Sequence, residues 1–261
     1  MSFFIDVQGT LLSDADKSPV NGACKLIEFL NKKNLPYIVI TNNTKHTSAE
    51  FLASLRQKGL AVKDGAYLDP FCVLDDIIKP CEVAMFGADE FINTMQKLEY
   101  TQNLKNAKAV MVASFDDFKF SDFASMIELI NDGAKFIPMH ETSVYKKHGR
   151  LFPGVGAIAS MIKNATGAEY KAVGKPSVKF FQTALNLIKK QDNSLNFKDI
   201  KIISDDAIGD LSGAKNLGMQ TALVLSGKVS SVQNSGVKPE ILDEIYKDVG
   251  EFLEVLSAKY K

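Results

Sequence analysis

Three apolar runs in this chain break off sharply into polar residues. Phe3–Ile5 stops at Asp6, Leu35–Ile40 at Thr41-Asn42-Asn43-Thr44, and Ile200–Ile203 at Ser204-Asp205-Asp206. Short runs of this kind, apolar but for Pro36 and Lys201, predict strands covered on both faces. Between the first two, Ser13 to Asn21 reads as a loop punctuated by Pro19 and Gly22. Ala23 to Lys33 then carries Leu26, Phe29 and Leu30 at helical spacing. A second helix is predicted from Thr47, which acts as N-cap with Glu50 completing a capping box. It buries Phe51, Leu52 and Leu55 and closes at Gly59. This strand–helix alternation predicts a doubly wound α/β sheet.

From Cys81 the pattern starts again. Glu82–Phe86, Ala107–Ala113 and Lys135–Met139 read as strands, with a helix over Asp89–Leu98 and another capped by Ser121, running through Ile130 and ending at Gly133. The segment has enough apolar periodicity for a small lobe of its own, bounded near residues 80 and 172. Glu141 to Arg150 lacks periodicity and reads as loop, His148 included. Pro153, Gly154 and Gly156 precede a helical run through Ile158 and Ile162. Gly174-Lys175-Pro176-Ser177 leads into a helix holding Phe180, Phe181, Leu185 and Ile188, with Ser177 as its cap. A short helix ends near Gly218, Thr221–Leu225 is expected to be the last core strand, and Glu240–Lys261 reads as one or two amphipathic helices.

Composition changes this picture little. At 261 residues the chain can bury one large core or two smaller ones. Lys plus Arg and Asp plus Glu stand at 31 each, so net charge offers no case for nucleic acid or an acidic membrane as partner. Cys24, Cys72 and Cys81 form no CxxC pair and read as small core residues in a reducing compartment. No stretch has the length of a transmembrane helix, and no basic-then-apolar leader precedes the first strand. The expectation is a cytoplasmic protein.

The chemistry lies at the strand ends. Asp6, Thr41-Asn42 and Asp205 end strands, and Lys175 stands at a helix entrance. Taken singly, each has an ordinary explanation in turn or cap formation. Together they occupy the places where a doubly wound sheet gathers a ligand.

In these residues the chain resembles the haloacid dehalogenase superfamily phosphatases, in particular the NagD-type and 4-nitrophenylphosphatase-like subgroup. DVQGT (6–10) is similar to that family's DxDGT, Thr41-Asn42 to its second motif, GKPS (174–177) to its third and SDDAIGD (204–210) to its fourth. HGRLFPGVGAI, GAKNLGM and LVLSG add to the likeness. The resemblance implies a Rossmann-like core over residues 1–80 and 173–261, with an inserted α/β cap of the C2 type over 81–172. It implies Asp6 as a nucleophile that forms an aspartyl-phosphate. Mg²⁺ would be held by Asp6, Asp205 and the backbone carbonyl of Gln8. Thr41, Asn42 and Lys175 would receive phosphate oxygens, with Asp210 in support. A small phosphorylated metabolite is the implied substrate, and a homodimer is an expectation, since the subgroup forms dimers through its caps.

Gln8 departs from the family pattern, which has a second aspartate there as general acid and base. A neutral amide has no proton to exchange at ordinary pH, so slow turnover is expected. Metal and phosphate binding should survive. His140 and Glu141 stand where the subgroup carries its substrate loop, and either facing the substrate or lying in solvent fits the sequence. His46 reads as a surface residue at a helix start. Besides a phosphatase, the same residues allow a phosphometabolite- or protein-binding protein that has lost turnover, or a phosphotransferase.

Overall fold

A computed structural model describes residues 1–147 and 150–260, with no account of the Lys146 and Lys147 side chains. His148 and Gly149, expected in a loop, lie outside the described residues. In chain order the elements are β1 (Ser2–Asp6), α1 (Ala23–Lys32), β2 (Tyr37–Ile40), α2 (Ser48–Gln57), β3 (Tyr67–Leu68), α3 (Pro70–Leu74), β4 (Glu82–Phe86), α4 (Asp89–Lys97), β5 (Thr101–Gln102), β6 (Ala109–Val112), α5 (Phe120–Asn131) and β7 (Lys135–Pro138). They continue with β8 (Val144–Lys147), β9 (Arg150–Pro153), α6 (Val155–Thr166), α7 (Val178–Ile188), β10 (Ile200–Ser204), α8 (Ser212–Asn216), β11 (Gln220–Val224), β12 (Glu244–Tyr246) and α9 (Val249–Ala258). The chain divides into two compact units. One comprises Met1–Thr41, Leu52–Leu68 and Phe181–Lys261, the other Asn42–Phe51 and Asp69–Phe180. The cap expected over 81–172 lies wholly within the second.

The first unit holds a parallel sheet in the order β12-β11-β10-β1-β2-β3. Every residue of β1 and β2 is buried, as a sheet covered on both faces requires. Successive side chains of a strand point to opposite faces. Phe3 meets Phe252 of α9 edge-on at 5.7 Å, whereas Phe4 stacks on Phe181 of α7 at 6.4 Å. Helices thus cover both faces, and the doubly wound expectation holds. The centre of the sheet, β10-β1-β2, carries the three polar strand ends.

The second unit has its own parallel sheet, β5-β4-β6-β7. Alternate residues Ala84, Phe86, Val110, Val112 and Phe136 form one core with Met126, Leu129 and Ile130 of α5 and Val155, Ile158 and Ile162 of α6.

Several expectations need correction. The cysteines are not core residues: Cys24 and Cys81 are half-buried and Cys72 is exposed. The segment 141–150 is not simply loop, because β8 and β9 form an antiparallel ribbon with Tyr145 stacked on its partner Phe152 at 5.6 Å. An exposed two-stranded ribbon buries no face and so leaves no apolar alternation to read. Ser121 does not cap α5. That helix starts one residue earlier, and Asp122 accepts from the Lys119 N–H at 2.8 Å. Thr221–Leu225 is not the last strand, since the three-residue β12 extends the sheet beyond it. The tail is correspondingly a strand and one helix, capped where Asp248 accepts from the N–H groups of Gly250 and Glu251. The caps at Thr47 and Ser177 hold: Glu50 N–H donates to Thr47 Oγ1, and Phe180 N–H to Ser177 Oγ. Of the residues expected to be buried in α2, only Leu55 is fully so. Among the described residues no helix is long and apolar enough to cross a membrane.

Candidate active site

In the first unit Asp6 ends β1 in register with Ile40 of β2 and is buried. Asp205 follows β10, also buried, and its backbone N–H donates to Thr10 Oγ1 at 3.1 Å. Two glycines press on the Asp205 carboxylate. A Cβ on Gly9 would lie 2.5 Å from Asp205 Cγ, and one on Gly227 2.8 Å from it. Gly9 also has φ +74°, the left-handed region that glycine enters without penalty. Ser226 Oγ donates to the Gly9 carbonyl at 2.7 Å, which ties the turn after β1 to the turn after β11. The LVLSG stretch therefore closes the wall behind Asp205.

Burial first, and then the negative charge of Asp6, push the Asp205 carboxyl well above the usual range, against a lowering from the Lys228 backbone N–H. That N–H donates to Asp205 Oδ2 at 2.5 Å. The Lys228 ammonium reaches Asp206 Oδ2, also at 2.5 Å. Asp206 accepts from Gly209 N–H at 2.8 Å and so builds the turn. Asp210 accepts from Ser204 Oγ at 2.7 Å, while the Asp206 N–H donates back to that hydroxyl. Lys228 and Ser204 escaped the sequence reading as site-building residues. Lys228 could have been found because it directly follows LVLSG, and Ser204 because it stands in the fourth motif where the family has glycine.

Thr41 is buried at the end of β2, its N–H donating to the Leu68 carbonyl. Gln8 is half-buried, and its Oε1 accepts from Lys17 Nζ at 2.9 Å.

Asn42 and Lys175 both belong to the second unit, and their contact is through the Lys175 main chain. Asn42 Oδ1 accepts from Lys175 N–H at 2.8 Å, and Nδ2 donates to the Lys175 carbonyl and to Thr142 Oγ1, each at 3.3 Å. Gly174 is required here, since a Cβ would lie 2.5 Å from Asn42 Oδ1 and 2.8 Å from the Met139 carbonyl. The Glu141 N–H donates to the Lys175 carbonyl at 3.2 Å. His140 is buried; its Nδ1 accepts from Thr142 N–H, which leaves Nε2 to carry the proton and donate to Ser114 Oγ at 3.1 Å. Glu141 accepts from the Tyr170 hydroxyl. These bonds of His140 and Glu141 are internal to their own unit. Gly156 lets the segment pass, for a Cβ there would stand 2.7 Å from the Glu141 carbonyl carbon.

Among the described residues no three His, Cys, Asp or Glu side chains form a group that could by itself hold a metal ion. The donor set near Asp6 is two buried carboxylates, hard oxygen ligands that suit a small divalent cation completing its shell with carbonyl and water.

Comparison with known proteins agrees with this architecture. The family model for haloacid dehalogenase-like hydrolases matches residues 3–101, and one described as HAD-hydrolase-like matches 172–252. An acid sugar phosphatase of Staphylococcus aureus (strain USA300) is 25% identical over 263 residues, covering 98% of this chain and 97% of its own. The p-nitrophenyl phosphatase from Archaeoglobus fulgidus superposes with a TM-score of 0.80 at 20% identity, over 97% of this chain and 98% of its own. NagD from E. coli K-12 superposes with a TM-score of 0.75 at 23% identity, over 96% and 97%.

Proposed function

We propose that this chain, which belongs to the haloacid dehalogenase-like hydrolases, is a phosphoric monoester hydrolase acting on a small phosphorylated metabolite through Asp6. The observation that carries the reading is that Asp6, the last residue of β1, and Asp205, directly after the neighbouring parallel strand β10, are both buried. Such a pair is costly to ionise without a cation and is apt for holding one.

In this mechanism an Asp6 carboxylate oxygen attacks phosphorus as the bond to the leaving oxygen breaks. Water then attacks the aspartyl-phosphate, releasing phosphate and restoring the carboxylate. Asp6, Asp205 and the carbonyl of Gln8 would hold Mg²⁺, which when bound neutralises phosphate charge. The Thr41 hydroxyl would receive a phosphate oxygen, and the family motif gives Lys175 the same task. Asn42 would serve by fixing the Lys175 main chain, and Asp210 by holding Ser204 and the turn after β10. Gln8 supplies no acid or base, a contribution worth ~10²–10⁴-fold in rate, so turnover is slow on esters with poor leaving groups.

The test is turnover of p-nitrophenyl phosphate and a sugar-phosphate panel in Mg²⁺, beside Asp6→Asn. Nitrophenolate leaves without an acid, so its ester is the most forgiving probe. Activity that vanishes in Asp6→Asn, and on chelation, supports the reading. Activity indifferent to Asp6→Asn would mean that another residue attacks and that this mechanism is wrong.

A further inference from the structure

Gln8 leaves the leaving-group side of the reaction without an acid, yet a cation stands beside it. Lys17 Nζ donates to Gln8 Oε1 at 2.9 Å and lies 3.6 Å from Asp14 Oδ1. The loop that carries it is closely defined. Ser13 N–H donates to the Ser18 carbonyl at 2.8 Å and Lys17 N–H to the Ser13 carbonyl at 3.1 Å. Ser18 binds Asp16 Oδ1 through both its N–H and its hydroxyl. Leu12 bridges to Gln8 on one side and to Pro19 on the other, so the loop is anchored at Gln8 itself. Lys17 has φ +58°, a left-handed conformation uncommon for a side chain of this size. Strained backbone of this kind recurs where a side chain must be presented to a site.

We propose that the Lys17 ammonium, oriented by the Gln8 amide oxygen, binds the leaving-group oxygen of the phosphate ester and stabilises the charge that builds there. This rests on the phosphatase reading above. As the phosphorus–oxygen bond breaks, its electron pair passes to the leaving oxygen, which accepts a hydrogen bond from Lys17 and ends as the alcohol, the proton drawn in net from solvent. An amide at position 8 suits this arrangement. A carboxylate there would set a second anion beside Asp14 on Lys17, whereas an amide oxygen holds the ammonium without cancelling more of its charge. Lys17 is then a catalytic residue, and Gln8 its positioning residue.

The experiment measures kcat/KM along a series of phosphate esters from p-nitrophenyl to primary alkyl, for the native chain, Lys17→Met, Lys17→Arg, Gln8→Ala and Asp6→Asn. Lys17 is exposed, so Lys17→Met is expected to lose about tenfold on the alkyl esters, less than the ~10²–10³-fold of an enclosed charge-stabilising donor, and less than about twofold on the nitrophenyl ester, which needs no such help. The dependence of rate on leaving-group pKa steepens accordingly. Lys17→Arg keeps most of the alkyl-ester rate. Gln8→Ala repeats part of the loss and adds nothing when combined with Lys17→Met. A uniform loss across the series, or none, overturns the role of Lys17 while Asp6-dependent turnover stands. Turnover that survives Asp6→Asn removes the phosphatase reading, and this proposal with it.

Discussion

Gly227→Ala is the most exacting test of the site's construction, because the added methyl meets two things that cannot yield. Its Cβ would lie 2.8 Å from Asp205 Cγ and 2.5 Å from Gly9 Cα. Carbon atoms prefer at least ~3.5 Å, so the overlaps are about 0.7 and 1.0 Å. On one side stands backbone already turned to φ +74°. On the other the carboxylate is held by the Lys228 N–H at 2.5 Å. Overpacking of this kind costs about 1–3 kcal/mol, and loss of the hydrogen bond to the carboxylate adds about 1.5–3 kcal/mol. Against a typical stability of ~5–15 kcal/mol the protein should still fold. Urea unfolding would show the loss. Turnover of p-nitrophenyl phosphate should fall by about 10²-fold or more, the scale of losing one charge-stabilising group. Gly65→Ala is the control: φ is +73°, with nothing within 4 Å of the added Cβ. It should cost about 1–2 kcal/mol from conformation alone and spare activity. If Gly227→Ala is as stable and as active as the native chain, the close packing around Asp205 is wrong.

Asp69→Ala removes a buried carboxylate that accepts from Asn43 Nδ2, Ser48 Oγ and Cys72 N–H. It should cost about 2–4 kcal/mol by leaving donors unpaired, and an unmoved melting temperature would refute it. Asn42→Asp keeps the acceptor for Lys175 N–H but sets an anion against the Lys175 carbonyl, so both stability and turnover should fall. If the Asp variant matches the native chain in both assays, Asn42 does not hold Lys175 in place. Burial opposes the Glu244 carboxylate, but bonds from Lys201 and Tyr246 outweigh it and hold its pKa below the ordinary value. Its contribution is therefore full above the unfolded-state pKa and fades as pH falls through the lower folded value. Lys201→Met should flatten the acid limb of a urea-midpoint profile, and an unchanged limb would count against the pair.

The sheet and its polar strand ends were legible because parallel strands covered on both faces write themselves as nearly continuous apolar runs. Phe3–Ile5 is unbroken, and Ile200–Ile203 is interrupted only by Lys201. The two-residue β3, the three-residue β12 and the β8–β9 ribbon were not, since elements so short or so exposed leave no period. Asp6, Thr41 and Asp205, expected at strand ends, are buried there. Ser204 and Lys228 were missed because their work is to hold other residues, through a hydroxyl and a backbone N–H that a sequence does not display. The engagement of the Asn42 amide with the Lys175 main chain was invisible for the same reason: its partners are 100 or more positions away.

In the proposed mechanism the loss of an acid at position 8 does not fall equally on the two steps. Departure of the alcohol needs charge relief at one oxygen, and an ammonium such as Lys17 can give it through a hydrogen bond. Attack of water on the aspartyl-phosphate needs a group that accepts a proton, and neither an amide nor an ammonium has a lone pair for that purpose. The second step therefore carries most of the penalty, and the phosphorylated form of Asp6 is the species that accumulates. A long-lived phosphoenzyme reacts with whichever nucleophile reaches it, so an added alcohol that shortens its life more than water does would turn the hydrolase into a transferase. Gln8 in this way sets the fate of the phosphoryl group, while Asp6, Asp205 and the residues that hold them set its capture.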